Sequence, residues 1–117
     1  MKNVTVSVII PLYNEERYIE NCIQSLANQT YPIEKMEWIL ADGNSTDKTV
    51  EIINRYLDKY PIILLHNEKR KTPYALNMSI EQAKGKYIIR LDAHASFPPD
   101  YIEKCVHYLD TTDADNV

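Results

Sequence analysis

Apolar stretches and helical apolar stripes alternate four times along this chain, and that order restricts its fold more than any other feature. Val4, Val6 and Val8 alternate with polar residues and run into Ile9-Ile10, the pattern of a buried strand. Pro11-Leu12-Tyr13-Asn14 is expected to break it. From about Glu15 to Asn28, the residues Ile19, Cys22, Ile23 and Leu26 recur at helical spacing, and Tyr31-Pro32 ends that helix. Trp38 to Ala41 reads as a second strand. Asp42-Gly43-Asn44-Ser45 reads as a turn, with Ser45 or Thr46 capping a helix striped by Val50, Ile53 and Leu57. Ile62 to Leu65 is a third strand, followed by a polar, basic loop from His66 to Thr72. Leu76, Ile80 and Ala83 stripe a third helix, with Gly85 as its C-cap. Tyr87 to Leu91 forms a fourth strand. Pro98-Pro99 opens a last helix, striped by Ile102, Cys105, Val106 and Leu109. A βαβαβαβα order implies an α/β fold: a three-layer α/β/α sandwich around a mostly parallel sheet with right-handed crossovers.

The length of 117 residues fits one domain with a core of its own. Only two glycines occur, so a glycine-rich phosphate or dinucleotide loop has almost no material, and no Gly-x-Gly-x-x-Gly follows any strand, which disfavours a dinucleotide oxidoreductase. The loop after the first strand is neither glycine-rich nor basic, which disfavours a sugar-nucleotide nucleotidyltransferase. A formal charge of −4 argues against a nucleic-acid partner, because affinity for phosphate backbones comes from clustered Lys and Arg. The two cysteines both fall on helical stripes, as buried thiols of a protein in the reducing cytoplasm. The apolar runs are far shorter than the ~18 residues of a membrane span. Lys2-Asn3 leads into a strand rather than a secretory apolar region. There is no internal repeat and no low-complexity tract.

In parallel sheets ligands bind beyond the carboxyl ends of the strands. Those ends carry Pro11, Tyr13, Asn14 and Glu15; Asp42, Gly43, Ser45 and Asp47; His66, Asn67, Lys69, Arg70 and Lys71; and Asp92 and His94. Asp92 and His94 stand two apart after a buried strand, so an extended backbone points both the same way. They suit a divalent ion such as Mn²⁺ or Mg²⁺, with Zn²⁺ also compatible; the other reading is an ordinary loop histidine beside a capping aspartate. Asp42 can accept from a base-ring N–H or a ribose hydroxyl, or can bond its own turn. Tyr13 offers a stacking face or seals the sheet edge. Lys69, Arg70 and Lys71 can hold a diphosphate or form a solvated loop.

Together these segments resemble family 2 glycosyltransferases, inverting enzymes of the glycosyltransferase A-type fold. Val8-Ile9-Ile10-Pro11-Leu12-Tyr13-Asn14-Glu15-Glu16 is similar to their opening strand and nucleotide loop. Asp42-Gly43-Asn44-Ser45-Thr46-Asp47-Lys48-Thr49 is similar to their second signature. Leu76-Asn77, Ala83 and Gly85 match the helix before the metal strand. Leu91-Asp92-Ala93-His94 falls where they carry Asp-X-Asp, and Pro99-Asp100 follows as in the family. The Asp-Ala-His form resembles a subgroup linked to exopolysaccharide glucosyl transfer of the succinoglycan type.

The resemblance implies a truncated Rossmann-like nucleotide-diphospho-sugar transferase fold, with residues 1–117 as its donor-binding part and the acceptor half absent. It implies a hexose moved from a UDP-sugar to a glycan or lipid-linked acceptor in polysaccharide or cell-wall biosynthesis, at the inner face of the membrane in a full-length protein. Pro11, Tyr13, Glu15, Asp42, Lys71 and Asp92 would bind the nucleotide. Asp92 and His94 would hold the divalent cation, His94 replacing a family carboxylate. No residue matches the family's catalytic base: Asp110, Asp113 and Asp115 are carboxylates at unsuitable positions. A non-catalytic nucleotide-binding module is the alternative. A truncated sheet edge would favour self-association.

Overall fold

The computed structural model describes residues 4–69 and 71–112. Its elements run β1 (Val6–Leu12), α1 (Ile19–Ala27), a 3-10 turn (Ile33–Lys35), β2 (Met36–Asp42), α2 (Thr49–Asn54), β3 (Ile62–His66), α3 (Thr72–Gln82), β4 (Tyr87–Arg90) and α4 (Tyr101–Asp110). The strands form one sheet in the order β3-β2-β1-β4, and each neighbouring pair is parallel. No helix among the described residues is long and apolar enough to cross a membrane.

Every position of β2 is buried, as a parallel strand covered on both faces requires. On one face Val6, Val8, Ile10 and Leu12 meet Met36, Trp38 and Leu40. The helices α1, α2 and α4 cover them with Ile19, Cys22, Ile23, Leu26, Ile53, Ile102 and Leu109, forming the main core. On the other face Ile9, Ile39 and Ala41 are buried, and α3 packs against β1 and β2. The buried residues of α3 are Ala75 and Ser79, whereas of the expected stripe Leu76 and Ala83 are half-buried and Ile80 is 50% exposed.

The expected boundaries shift in four further places. β1 continues through Pro11 to Leu12. β4 pairs with β1 only from Val6 to Ile9, so the missing Pro11 N–H breaks no ladder bond on that side. α1 begins at Ile19 rather than Glu15, after a turn in which the Glu15 carbonyl accepts from the Tyr18 and Ile19 N–H groups. α2 is capped at Lys48, not Ser45 or Thr46, and ends before Leu57. Gly85 is no left-handed cap, since neither glycine has positive φ. It is a close-approach residue: a Cβ there would lie 2.6 Å from the Ser7 backbone nitrogen. The chain is held at that point by a buried network. Ser7 Oγ and the Lys84 N–H each donate to Glu37 Oε2 at 2.6 Å, and the Gly85 N–H donates to Ser7 Oγ at 2.8 Å.

From β1 the chain steps outward to β2 and β3, then returns over α3 to β4 on the far side of β1. The strand order therefore reverses between β1 and β4. That switch point opens a crevice at their carboxyl ends.

Candidate functional site

The crevice is built first by two interlocked loops. Asn14, after β1, has φ 50°, and Asn44, after β2, has φ 65°, a conformation that asparagine tolerates better than most residues. The Asn14 N–H donates to Ser45 Oγ at 2.8 Å, and Asn14 Oδ1 accepts from the Thr46 N–H at 2.8 Å. Thr49 is fully buried and bonds in two directions. Its hydroxyl donates to Asp47 Oδ1 at 2.5 Å and accepts from the Glu15 N–H at 2.8 Å. The Glu16 N–H reaches Asp47 Oδ2 at 3.3 Å. The slight burial of the Asp47 carboxyl acts to raise its pKa, but the bonds from Thr49 and Glu16 outweigh it and hold the group below the usual range. The second loop thus clamps the backbone of Asn14, Glu15 and Glu16.

Asp42 is almost completely buried, and both its oxygens face Ser45: Oδ1 accepts from Ser45 Oγ at 2.5 Å and Oδ2 from the Ser45 N–H at 3.1 Å. Its carbonyl accepts from the Asn67 N–H at 2.7 Å, tying in the loop after β3.

Glu15 emerges from this clamp opposite the end of β4. His94 Nδ1 lies 2.5 Å from Glu15 Oε2, and His94 Nε2 lies 3.0 Å from Asp92 Oδ1. Each ring nitrogen therefore faces a carboxylate. Tyr18 packs edge-on against the imidazole at 5.8 Å. One ligand atom from each of Glu15, Asp92 and His94 falls within a 4.8 Å group. Two carboxylates and an imidazole are a donor set that suits Mn²⁺ or Mg²⁺. The sequence pointed to Asp92 and His94 for a cation and to Glu15 for the nucleotide; the fold puts all three together. Beneath them sits Cys22, whose thiol is pushed up to about 12 by burial and, secondarily, by the Asp92 and Glu15 charges.

A cleft runs from this cluster along the strand ends. Pro11, Tyr13 and Glu15 form one wall, Ala41 and Gly43 the floor, and Asn67, Lys71, Thr72 and Ala75 the other wall. Pro11, Tyr13, Glu15, Lys71, Asp92 and His94 are thus brought to one cavity. Asp42 does not line it, although its neighbours Ala41 and Gly43 do. Lys69 is turned aside over the Tyr74 ring, 4.3 Å from its centroid, and Arg70 lies outside the described residues. Asn67 stands among the expected strand-end residues, whereas Thr72 and Ala75 had no motif to mark them, because the packing of α3 brings them in. An adjoining cavity of about 470 Å³ shares Pro11, Thr72, Asp92 and His94 and adds Arg90 and Leu91.

A family model described as Glycosyl transferase family 2 matches residues 7–117. Among curated proteins, the chain is 42% identical over 101 residues to the dolichyl N-acetyl-alpha-D-glucosaminyl phosphate 3-beta-D-2,3-diacetamido-2,3-dideoxy-beta-D-glucuronosyltransferase of Methanococcus voltae; the match covers 84% of this chain and 32% of that protein. It is 37% identical over 113 residues to the succinoglycan biosynthesis protein ExoA of Rhizobium meliloti, across 94% of this chain and 34% of that one. Among solved structures, S. aureus TarS 1-349 in complex with UDP-GlcNAc superposes with a TM-score of 0.81 at 28% identity, over 92% of this chain and 31% of that one. The mannosyltransferase PcManGT from Pyrobaculum calidifontis, in complex with GDP-Man and Mn²⁺, gives a TM-score of 0.83 at 32% identity, over 89% of this chain and 32% of that one. The chain spans about a third of the length of these curated relatives.

Proposed function

The chain belongs to glycosyl transferase family 2, and from that premise we propose that residues 1–117 are the donor-binding part of an inverting transferase. The parent enzyme moves a hexose from a UDP-sugar to a glycan or lipid-linked acceptor, in the cytoplasm at the inner face of a membrane. The observation that carries this reading is the grouping of Glu15, Asp92 and His94 at the mouth of a cleft walled by both signature loops. A solved relative in complex with UDP-GlcNAc supports the uridine donor, and one in complex with GDP-Man and Mn²⁺ supports the cation.

In this reading the base enters between Pro11 and Tyr13 on one side and Asn67 on the other. Asp42 reads the uracil ring through lone pairs that Ser45 leaves available, two per carboxylate oxygen. Lys71 faces the diphosphate. Asp92, His94 and Glu15 hold a divalent cation, which when bound offsets negative charge on the departing diphosphate. The general base that deprotonates the acceptor hydroxyl lies outside these residues, in the acceptor half.

Thermal unfolding with nucleotides tests the donor assignment. With Mn²⁺ present, UDP should raise the melting temperature more than GDP or ADP, and ligand at ~100 times its dissociation constant adds about 2.7 kcal/mol. Asp42→Asn should erase the uridine preference. Equal shifts for the three nucleotides would remove the uracil reading.

A further inference from the structure

β4 ends at Arg90, and His94 sits in a turn that the Ala95 N–H closes on the Asp92 carbonyl at 3.1 Å, so it is the approach to Asp92, not a strand row through His94, that carries a further exposed side chain. Burial alternates along this segment: Tyr87, Ile89, Leu91 and Ala93 are buried, while Arg90, Asp92 and His94 are exposed. Residues two apart in extended backbone share a side, so Arg90 stands next to Asp92. It pairs in register with Ile9, which is 3% exposed, so an arginine sits in a row whose inner neighbour is apolar and buried. Asp92 is engaged by His94 and forms no ion pair with Arg90. Among the described residues the Arg90 guanidinium has neither a hydrogen-bond nor an ion-pair partner. It lines the adjoining cavity, which shares Pro11, Thr72, Asp92 and His94 with the base cleft but none of Tyr13, Gly43, Asn67 and Lys71, and it is the one Lys or Arg side chain there among the described residues. That volume falls within the usual range for small-ligand pockets.

We propose that Arg90 is an anion-recognition residue: its guanidinium receives a carboxylate or phosphate on the part of the substrate that lies beyond the diphosphate. This rests on the donor-site reading above. A guanidinium presents paired N–H groups in a fixed fork that matches two oxygens of one oxyanion, which an ammonium cannot reproduce. The diphosphate already has a cation cluster and Lys71. Arg90 is therefore placed for a second anionic group, carried either by the sugar ring of the donor or by the acceptor.

Binding titrations with Mn²⁺ present distinguish these sources. The probes are UDP, UDP-glucose, UDP-glucuronate, and glycerol phosphate added to the UDP-saturated protein. The proteins are wild type, Arg90→Gln and Arg90→Lys, with melting curves confirming that the exposed substitutions leave the fold intact. If the anion is on the donor, wild type should bind UDP-glucuronate at least about tenfold more tightly than UDP-glucose, from a charge-assisted bond of ~1.5–3 kcal/mol. Arg90→Gln should abolish that preference, Arg90→Lys should keep part of it, and UDP should bind all three proteins alike. If the anion is on the acceptor, glycerol phosphate should bind wild type and not Arg90→Gln, with the two sugar nucleotides equal. UDP binding with no Arg90-dependent preference for either anion overturns this proposal alone. Loss of UDP affinity in Arg90→Gln also overturns it, by assigning Arg90 to the diphosphate. Failure of wild type to bind UDP overturns the donor reading and this proposal with it.

Discussion

His94 and Cys22 show two opposite uses of the same pair of carboxylates. His94 lies at the surface between Glu15 and Asp92, within reach of both. A cation bound there needs its ring nitrogen as a ligand, so His94→Ala should abolish the Mn²⁺ enhancement of UDP binding, while His94→Asp should retain it. Mn²⁺–UDP titrations check this, and unchanged binding by His94→Ala would make the histidine a bystander. Cys22 lies below, where burial and then the Asp92 and Glu15 charges push its thiol up to about 12. An unfolded thiol ionises near pH ~8.5. The folded protein keeps the proton, so this contribution to stability is fully present below that pH and is lost as pH rises toward the folded value. Each unit of pKa difference corresponds to about 1.4 kcal/mol. The stability difference between wild type and Cys22→Ala should therefore shrink steadily from about pH 8.5 upward; a difference independent of pH would contradict the shift. Cys22 should also resist alkylation in the native state.

At the scale of elements, the second signature loop acts on the first through Thr49. Thr49→Val keeps the shape and removes both hydroxyl bonds, leaving the Glu15 N–H without its partner. The expected loss is about 1–3 kcal/mol of stability, with weaker metal-dependent UDP binding; Thr49→Ser should restore most of both. Denaturant unfolding and UDP titration together read the two effects. At the other end of the sheet, Gly85→Ala sets a Cβ against the Ser7 backbone, which cannot move aside as a side-chain tip can. A cost of about 1–3 kcal/mol is expected from the overpacking, again read by unfolding. These elements also show what the sequence makes legible. The βα alternation, the main core and the crevice edge follow from apolar periodicity, which depends on neighbours in sequence. The placement of Glu15 beside His94, the burial of Asp42 and the small-residue face of α3 depend on contacts between distant segments. So does the role of Gly85, which a helix-ending glycine alone would suggest is a cap. Arg90 is legible as a polar residue two before Asp92, separated from it by the buried Leu91.

The whole molecule has a radius of gyration of 13.4 Å, close to the value of about 13 Å for a compact single domain of ~100 residues. Both outer strands, β3 and β4, leave one backbone edge without a strand partner among the described residues. Exposed edges template pairing, so the mean mass in sedimentation should rise with concentration, and Ile88→Lys on β4 should reduce that rise. A mass independent of concentration would refute the expectation. The bonding between the loops after β1 and β2 gives the crevice one stiff jaw and one compliant jaw. Asn14, Glu15 and Glu16 are cross-bonded to Ser45, Thr46, Asp47 and Thr49. Across the opening, the segment after β3 is tied by Asn67, while Glu68 makes no hydrogen bond among the described residues. The ordering entropy of closing on a ligand then falls on one short segment instead of three. Amide exchange on adding Mn²⁺ and UDP should accordingly slow most at Glu68, Lys69 and Lys71, and least at the amides of Glu15 and Thr46, already immobilised before the ligand arrives.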